Sequence, residues 1–342
     1  MPTKYHFCIS FSRESGQDVS SRFGPQQTGG TIIQHVRPVD LQASMAQAAE
    51  IVSRWASELQ QADTTSGEID FAAESAWWRG VANEFIARTR LMWRDNWFRD
   101  YDSVAQEWSE QQDTMHLAPI FCGATSQEHI ESLLPSFIRP PVHSGWAPLS
   151  WPPVVMTLVG AAAAADRPLE AAELAYHFID GSYRSIDRRE PDEHGGLPGV
   201  TREYRQTVTA GKWGEIDYVN AGIEGYGWGA LSVHLLLRYL LGLREEAADK
   251  ITLVPALPQA LRRVGAVYRA ESVQWGQYAL SVECIVLDAK SYTIRLSCSR
   301  REKETMPEVL EGKEPTPATV HTCEWQGTWG EKRTLELPQL TT

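Results

Sequence analysis

Carboxylates are the side chains of this sequence with the clearest chemical potential, because other common catalytic patterns are missing from it. The sequence has no Gly-x-Ser-x-Gly nucleophile elbow. It also lacks the metal-binding patterns Cys-x-x-Cys and His-Glu-x-x-His, and its nine histidines are scattered. Two carboxyl groups that face each other across a pocket can split a glycosidic bond. One protonates the leaving oxygen, and the other attacks the sugar or activates a water. Composition alone cannot choose a pair among 44 acidic residues.

Two further features bear on the kind of ligand. The 13 tryptophans are many for this length, and an indole ring packs well on the apolar face of a pyranose. The glycine-rich run from Gly222 to Ala230 lacks the lysine of a phosphate-binding loop and carries bulky aromatics. We therefore predict a carbohydrate ligand, and a tight turn that leads into a buried helix at Trp228.

Charge and composition exclude several classes of protein. The net charge of −12 and the absence of a basic block argue against nucleic acid and anionic membranes. No run reaches the ~18 apolar residues of a membrane span, and residues 1–10 lack the apolar core of a signal peptide. Five scattered cysteines do not form a disulfide framework. These features predict a cytoplasmic protein.

The first 248 residues have a helical pattern. Apolar residues recur at helical spacing, and Pro stands in the first turn of several helices, where its missing N–H costs nothing. The predicted helices cover residues 38–59, 71–93, 127–137, 152–165, 168–186 and 228–243. The last is apolar on nearly every side, which predicts full burial. Long loops are expected at residues 96–118 and 188–225.

The character changes after residue 248. Stretches rich in Val, Ile, Tyr and Thr predict strands at residues 251–255, 277–287, 292–298 and 325–337, and residues 301–319 predict an exposed loop. The fold class is therefore mainly α, with a helical domain at residues 1–248 and a small C-terminal all-β domain at residues 249–342.

A resemblance then narrows the choice of carboxylates. The run Ser15-Gly-Gln-Asp-Val-Ser-Ser-Arg-Phe23 resembles the Ser-Gly-Trp-Asp-Phe-Ser-Ser-Arg-Trp motif of trehalases, and equally the related motif of glycoside hydrolase family 63. The resemblance implies that Asp18 is the general acid and that Arg22 lies by the substrate. Gln17 occupies a position that is Trp in trehalases, and we predict that it also binds substrate.

Further motifs follow in the order of that family. They are Val36-Arg-Pro-Val-Asp-Leu-Gln42, Trp97-Phe-Arg-Asp-Tyr-Asp102, Leu117-Ala-Pro-Ile120, Ser150-Trp-Pro-Pro153, Arg202-Glu-Tyr204 and Gly225-Tyr-Gly-Trp228. The resemblance implies that Glu203 is the general base. Trp146, Trp151, Tyr204 and Trp228 are the remaining predicted substrate-binding residues. Asp100 and Asp102 are expected to tie down a loop, and His116 and His143 to be ordinary polar residues.

The resemblance also implies a fold and a mechanism. The fold would be an (α/α)6 toroid of helical hairpins, with inversion at the anomeric centre and carboxyl groups ~6.5–9.5 Å apart. The scheme needs no metal and no cofactor. The family's earlier hairpins do not precede the acid motif, so we predict a partial toroid whose partner is a missing N-terminal segment. The predicted substrate is an α-linked glucosyl or mannosyl sugar, trehalose-like disaccharides among them.

Several alternatives stay open. The spacing between Glu203 and Trp228 is longer than in trehalases, so Glu215, Asp217 and Glu224 are rival bases. The second hypothesis is a truncated, non-catalytic sugar-binding remnant of the same fold, supported by the missing N-terminal part. Another reaction on a helical toroid, such as α-L-rhamnosidase chemistry, is the third possibility.

Overall fold

The computed structural model describes residues 35–62, 69–110, 112–133, 152–187, 204–209, 216–221, 229–247, 250–300 and 320–337. The described residues fall into two compact units. The first contains residues up to Arg167 together with residues 204–221, and the second contains 168–187 and everything from residue 229 onward.

A long helical hairpin opens the first unit. Helix α1 (Val39–Gln61) begins directly after Pro38, and helix α2 (Phe71–Leu91) begins after Asp70, whose carboxylate accepts the Ala73 N–H. This cap satisfies one of the amides that every helix leaves free at its start. Arg88 and Arg90 in the last turn of α2 suit the negative end of its dipole. Both helices were predicted, and their starts agree with the prediction.

The hairpin buries small residues and exposes large ones. Its interior side consists largely of Ala and Ser, and the buried residues are Val39, Gln42, Ala43, Ala46, Ala49, Ser53, Ala56, Ser75, Ala82, Phe85 and Thr89. Trp55 and Trp77, by contrast, are 57% and 53% exposed. Phe85 is the largest member of a core cluster that also contains Cys122 and Ala124.

The segment after the hairpin is not the irregular loop that the sequence predicted over residues 96–118. It contains short elements, namely β2 (Trp93–Arg94), β3 (Trp97–Phe98), β4 (Tyr101–Asp102), β5 (Glu107–Trp108), a 3-10 turn (Thr114–Leu117), α3 (Ala118–Phe121) and α4 (Gln127–Leu133). Strands of two residues are too short to produce an alternating pattern, which is why periodicity misses them.

Two further helices follow as predicted. Helix α5 (Pro152–Ala164) belongs to the first unit, and helix α6 (Pro168–Asp187) belongs to the second. In α5, Gly160 lies against the ring of Phe121, where a Cβ would come within 2.2 Å of that ring. This glycine therefore permits close packing of α5 on α3.

The predicted loop at residues 188–225 also contains secondary structure. Strands β6 (Tyr204–Thr209) and β7 (Ile216–Ala221) pair as an antiparallel hairpin. The β-branched residues of these strands were outweighed in the sequence by the many glycines and charges around them.

The helix predicted over residues 228–243 is shorter and less buried than expected. Helix α7 (Gly229–Leu235) runs into one π-helical turn (Leu236–Leu240), and Val233 is 59% exposed. The prediction of full burial was wrong. Apolar residues are common on protein surfaces, so an apolar helix need not be buried on every side. After the turn, Gly242 has φ +80° and a Cβ there would meet the Val254 backbone at 2.2 Å.

The second unit contains two sheets. Strands β8 (Leu243–Ala247), β9 (Lys250–Leu253) and β14 (Arg333–Glu336) form one, in the order β14-β9-β8. Strands β10 (Val267–Trp275), β11 (Tyr278–Val286), β12 (Ser291–Arg300) and β13 (Val320–Thr328) form an antiparallel meander. The sequence missed β8 and β10, and it merged β13 and β14 into one strand.

The meander sorts its side chains by face. On β11, Tyr278, Leu280, Val282, Cys284 and Val286 are buried, and the residues between them are less so. The opposite face carries a line of four charges, Arg269, Glu283, Arg295 and Glu324, each directly opposite the next across the strands. Glu283 pairs with Arg269, and its other oxygen lies 2.9 Å from Arg295. Arg295 in turn lies 2.8 Å from Glu324.

The predicted mainly helical first part and a separate strand region are thus present. The toroid, an independent C-terminal β domain and the boundary at residue 248 remain predictions. Cys122, Cys284, Cys298 and Cys323 are free thiols. None of the helices in the described ranges has the length and apolar character needed to cross a membrane.

Candidate active site

Most of the predicted site residues lie outside the described part of the chain. These are the acid Asp18, the base Glu203 and the substrate-binding residues Gln17, Arg22, Trp146, Trp151 and Trp228. The rival bases Glu215 and Glu224, and His143, also lie outside it. Their roles remain predictions. The described residues give the backbone on either side of the base segment and the contacts that hold the chain after the acid segment.

The β6–β7 hairpin locates the backbone around the candidate bases. Tyr204, which follows Glu203 in the chain, pairs with Ala221 at the open end of the hairpin. Asp217 pairs with Val208, next to the end where the strands turn. Six-residue strands separate the two ends by roughly 17 Å. The backbone that follows Glu203 therefore lies at one end of the hairpin. The rival Asp217 lies towards the other end.

A three-stranded sheet holds the chain just before α1. Strand β1 (Val36–Arg37) pairs with β4, and β4 pairs with β5. Ser103 reinforces the first pairing, because its N–H and its hydroxyl donate to the His35 carbonyl at 2.9 and 2.7 Å. The start of α1 is thereby tied to a segment more than 60 residues away in the chain.

Asp102 shapes the turn that joins β4 to β5. One carboxylate oxygen accepts the N–H groups of Val104 and Ala105 at 2.8 and 2.9 Å. The other lies 3.4 Å from Nε2 of His35. Asp102 thus links the turn to strand β1, which agrees with the structural role predicted for it.

Asp100 caps helix α1 from outside that helix. Pro38 precedes the helix and has no side-chain acceptor to offer, and Asp100 Oδ1 accepts the Val39 N–H at 2.8 Å instead. The carboxylate is 1% exposed. A buried anion at the positive end of the helix dipole forms a charge-assisted hydrogen bond, stronger than a neutral one.

His116 and Trp97 fix Asp100 from its other side. Asp100 Oδ2 lies 3.4 Å from His116 Nε2, and Trp97 Nε1 donates to His116 Nδ1 at 2.9 Å. An indole N–H can only donate, so Nδ1 is the acceptor and the imidazole hydrogen lies on Nε2, facing Asp100. The Asp113 N–H also points at Nδ1, at 3.3 Å. A single hydrogen on His116, at Nε2, is therefore consistent with the hydrogen bonds to Asp100, Trp97 and Asp113.

The prediction that His116 is an ordinary polar residue was wrong. Its side chain is fully buried, and it closes a reciprocal cap with Asp113, whose carboxylate accepts the Met115 N–H. The sequence does contain a signal for this, since Asp113 stands three residues before His116, the spacing of a capping box. A capping box usually has Glu or Gln three residues after the capping residue. Because histidine occupies that position here, the pattern was not recognised in the sequence.

Aromatic residues near this group have faces that the protein itself covers. Trp93 and His129 stack with ring centroids 4.1 Å apart, and the Arg94 guanidinium lies 4.8 Å above Trp108. Burial lowers the pKa of His129. These rings therefore strengthen the segment after α2, and the faces used in these contacts are closed to a sugar.

No metal site is formed by the residues that the structure describes. Nowhere among them do three His, Cys, Asp or Glu side chains gather as ligands of one ion would.

Comparison with known proteins gives a family and two structural relatives. A family model described as Trehalase matches residues 4–240. The chain is similar to neutral trehalase Nth1 from Saccharomyces cerevisiae, with 17% identity and a TM-score of 0.44 over 67% of this chain and 41% of that one. It is also similar to the GH63 mannosylglycerate hydrolase from Thermus thermophilus, with 17% identity and a TM-score of 0.42 over 59% of this chain and 46% of that one. This chain thus spans less than half the length of either structure. A comparison with curated proteins found no match.

Proposed function

Since the chain belongs to the trehalase family, we propose that it hydrolyses an α-linked glucosyl or mannosyl sugar, trehalose-like disaccharides among them. Family membership places it among the glycosidases, and its own activity and substrate are our proposal. The observation that carries the proposal is the extent of the family match, which runs from residue 4 to residue 240 and so includes both Asp18 and Glu203.

In the proposed mechanism the two carboxylates have different tasks. Asp18 stays protonated until it donates to the leaving oxygen, which an apolar wall of tryptophans would favour by raising its pKa. Glu203 stays ionised and takes a proton from the attacking water. Water enters on the face opposite the leaving group, so the anomeric centre is inverted. Arg22 and Gln17 hold sugar hydroxyls in place.

The β6–β7 hairpin supports Glu203 over two of its rivals. The Arg202-Glu-Tyr204 motif leads into the open end of this hairpin, and the glycine-rich motif of residues 225–228 follows its other strand from the same end, because Tyr204 pairs with Ala221. Asp217 lies towards the turn end, and Glu215 precedes it in the chain. The chain connectivity at this end of the hairpin therefore favours Glu203 over Glu215 and Asp217 in our proposal.

We also infer that the helices belong to an (α/α)6 toroid of helical hairpins, in which a further helical segment covers the α1–α2 hairpin. Support comes from the α1–α2 hairpin, where Trp55 and Trp77 are more than half exposed. A large exposed apolar patch is the kind of surface that another element covers. Expression of this chain beside the preceding half of a trehalase-family protein would test it by co-purification. A stable, monomeric chain that unfolds cooperatively on its own would contradict it.

Hydrolysis assays test the proposed function directly. We expect turnover of trehalose, α-glucosides or α-mannosides with inverted product by NMR, abolished in Asp18→Asn and in Glu203→Gln. Glu215→Gln is the matched control and keeps activity. Loss in Glu215→Gln with activity kept in Glu203→Gln would move the base to Glu215. If calorimetry shows that folded wild-type protein binds a sugar and the assays show no turnover, the chain is a sugar-binding remnant and not an enzyme.

A further inference from the structure

We propose that strand β13 (Val320–Thr328) is a docking edge for a second copy of this chain, whose own β13 pairs with it antiparallel about a twofold axis. β13 lies at one end of the meander, and β12 occupies only one of its two sides. Seven of its nine residues are exposed. The proposal stands on the contacts of this strand and is independent of the proposed function.

Hydrogen bonds beside β13 show which of its backbone groups point away from β12. In an antiparallel pair, residues whose N–H and C=O face the partner alternate with residues whose groups face away. Trp329, directly after β13, donates its N–H to the Lys290 carbonyl at 3.1 Å, in continuation of the β12–β13 register. The odd-numbered residues of β13 therefore face β12, and the even-numbered ones face outward.

Four residues of β13 thus present unpaired backbone groups at this edge. Thr328 points outward as well but is occupied, because its N–H donates to the Glu331 carboxylate at 3.0 Å and its carbonyl accepts the Glu331 N–H. In the described part of the chain, no strand pairs with the outward groups of the other four, which are Val320, Thr322, Glu324 and Gln326. Such an edge is a template for a further strand.

The other edges of the two sheets in this unit are short or interrupted. β10, at the opposite end of the meander, has a bulge between Ala270 and Val273, where Ser272 has φ +55°. A bulge bends a strand and disrupts its edge. β14 has four residues, and β8 has five with a register shift between Glu245 and Ala247. β13 has nine residues and contains no bulge, Pro or Lys.

A second copy fits this edge because a strand edge is self-complementary under a twofold axis. One alignment pairs all four outward residues of each copy, with two hydrogen bonds to a pair. It places Val320 opposite Gln326 of the second copy, and Thr322 opposite Glu324 of the second copy. Each Glu324 stays paired with Arg295 of its own copy, at 2.8 Å, so its charge is balanced before the copies meet.

The two neighbouring alignments are poorer. A shift of two residues in one direction places Glu324 opposite Glu324 of the second copy, and like charges directly opposite destabilise a sheet. It also requires the Thr328 groups that Glu331 already occupies. A shift in the other direction leaves Gln326 of both copies without a partner. Charge and hydrogen bonding therefore select the same register.

The selected register makes a specific prediction for Cys323, which lies between Thr322 and Glu324. It falls on the twofold axis, opposite Cys323 of the second copy, at a position without hydrogen bonds between the copies. Cα atoms at such a position are ~4.5 Å apart, within the ~4.4–6.8 Å that a disulfide spans. The thiol is free and exposed, so a cross-link between copies reports the register.

Light scattering after gel filtration of the full chain tests the pairing, at ~0.15 M salt, where the repulsion between chains of net charge −12 is screened. We expect a concentration-dependent dimer. Thr322→Pro removes an outward N–H that β12 does not use, so the monomer keeps its own sheet. Each dimer loses two hydrogen bonds, and the dissociation constant should rise at least ~10-fold.

Thr322→Val is the matched control, because it also loses the hydroxyl contact with Ser297 but keeps the backbone N–H. We expect it to dimerise like wild type. Gln326→Pro beside Gln326→Ala repeats the comparison at a second outward position, and circular dichroism confirms that each variant is folded. A wild-type chain that is monomeric at every concentration, or a dimer that neither folded proline variant weakens, would overturn the proposal.

Oxidation by diamide, which accepts the two thiol hydrogens, tests the register in a Cys8→Ser background. A non-reducing gel should show a cross-linked dimer that Cys323→Ser abolishes. When His321→Cys is added to Cys323→Ser, the introduced thiol lies opposite Trp325 of the second copy, and no cross-link is expected. Equal cross-linking at positions 321 and 323, or a dimer without cross-linking at 323, would refute the proposed alignment.

Discussion

The α1–α2 hairpin and the β10–β13 meander distribute their side chains in opposite ways. The hairpin buries Ala and Ser and leaves Trp55 and Trp77 more than half exposed. The meander buries Leu280, Val282 and Tyr292 and faces outward with paired charges. Because apolar burial stabilises in proportion to area, a stripe of small residues contributes far less than a face of Leu, Val and Tyr.

The difference separates a self-sufficient element from one that depends on a neighbour. The meander satisfies its own apolar face and its own charges within one unit. The hairpin keeps its largest apolar groups on the outside, where their exposed area adds nothing to stability until something covers it. Large apolar side chains therefore form a buried core in one region and an exposed surface in the other.

The largest difference between the hairpin and the meander is expected when one large apolar side chain is truncated in each and the free energies of unfolding are compared. Leu280→Ala removes a fully buried side chain, and we expect it to lower the free energy of unfolding by ~2–5 kcal/mol. Trp55→Ala removes a larger but 57% exposed one, with an expected change within ~0.5 kcal/mol. Urea unfolding followed by circular dichroism measures both. A cost for Trp55→Ala close to that of Leu280→Ala would mean that the indole is already covered.

Alanine in place of glycine should have opposite signs in the two regions. At Gly327 a Cβ would lie 2.7 Å from the Tyr292 hydroxyl, and moving that buried ring costs ~1–3 kcal/mol. At Gly80, in the middle of α2, nothing lies within 4 Å of a Cβ. Gly80→Ala should stabilise by ~0.5–1 kcal/mol, because glycine loses more backbone freedom in a helix. Thermal unfolding gives both signs, and a loss of stability in Gly80→Ala would point to close packing on that face.

Two buried thiols can report the opening of each region separately. Burial raises the pKa of Cys122, beside the hairpin, and of Cys284, in the meander, to about 12 in both cases. Both thiols are thereby unreactive while buried, and on opening each reacts as an ordinary exposed thiol, so the rate of alkylation by iodoacetamide in dilute urea reflects local opening. We expect Cys122 to react roughly tenfold faster, a difference of ~1.4 kcal/mol in opening free energy. Exposed Cys323 serves as the fast control. Equal rates for the buried pair would show that both regions open together.

Elements with a strong local signal were predictable from the sequence. The long helices α1, α2, α5 and α6 begin at a proline, or beside Asp70 in the case of α2, and their apolar spacing extends over many turns. Strands β11 and β12 alternate clearly. The two-residue strands β2 to β5 have no period to detect, and β10 contains a bulge between Ala270 and Val273 that interrupts its alternation.

The candidate site was predictable only through the order of its motifs. Asp100 and Asp102 stood out because they belong to such a motif, and Asp102 has the structural role expected of it. The partnership of Asp100 with His116 and Val39 could not be predicted, because it joins residues far apart in the chain. Burial in three dimensions, and not residue type, turns His116 into part of a fixed group. The catalytic roles of Asp18 and Glu203 stay predictions.

The line of charges on the meander has a consequence for how the strands find each other during folding. Sliding β13 by two residues along β12 would keep every apolar side chain on its original face, so the apolar pattern alone hardly distinguishes the two alignments. The slide would bring Arg295 opposite Thr322 or Gln326 instead of Glu324. Each ion pair contributes only ~0.2–1 kcal/mol, which is small for stability but enough to select one of several nearly equal alignments. The pair of Arg295 with Glu324 thus favours the native alignment of β13 on β12.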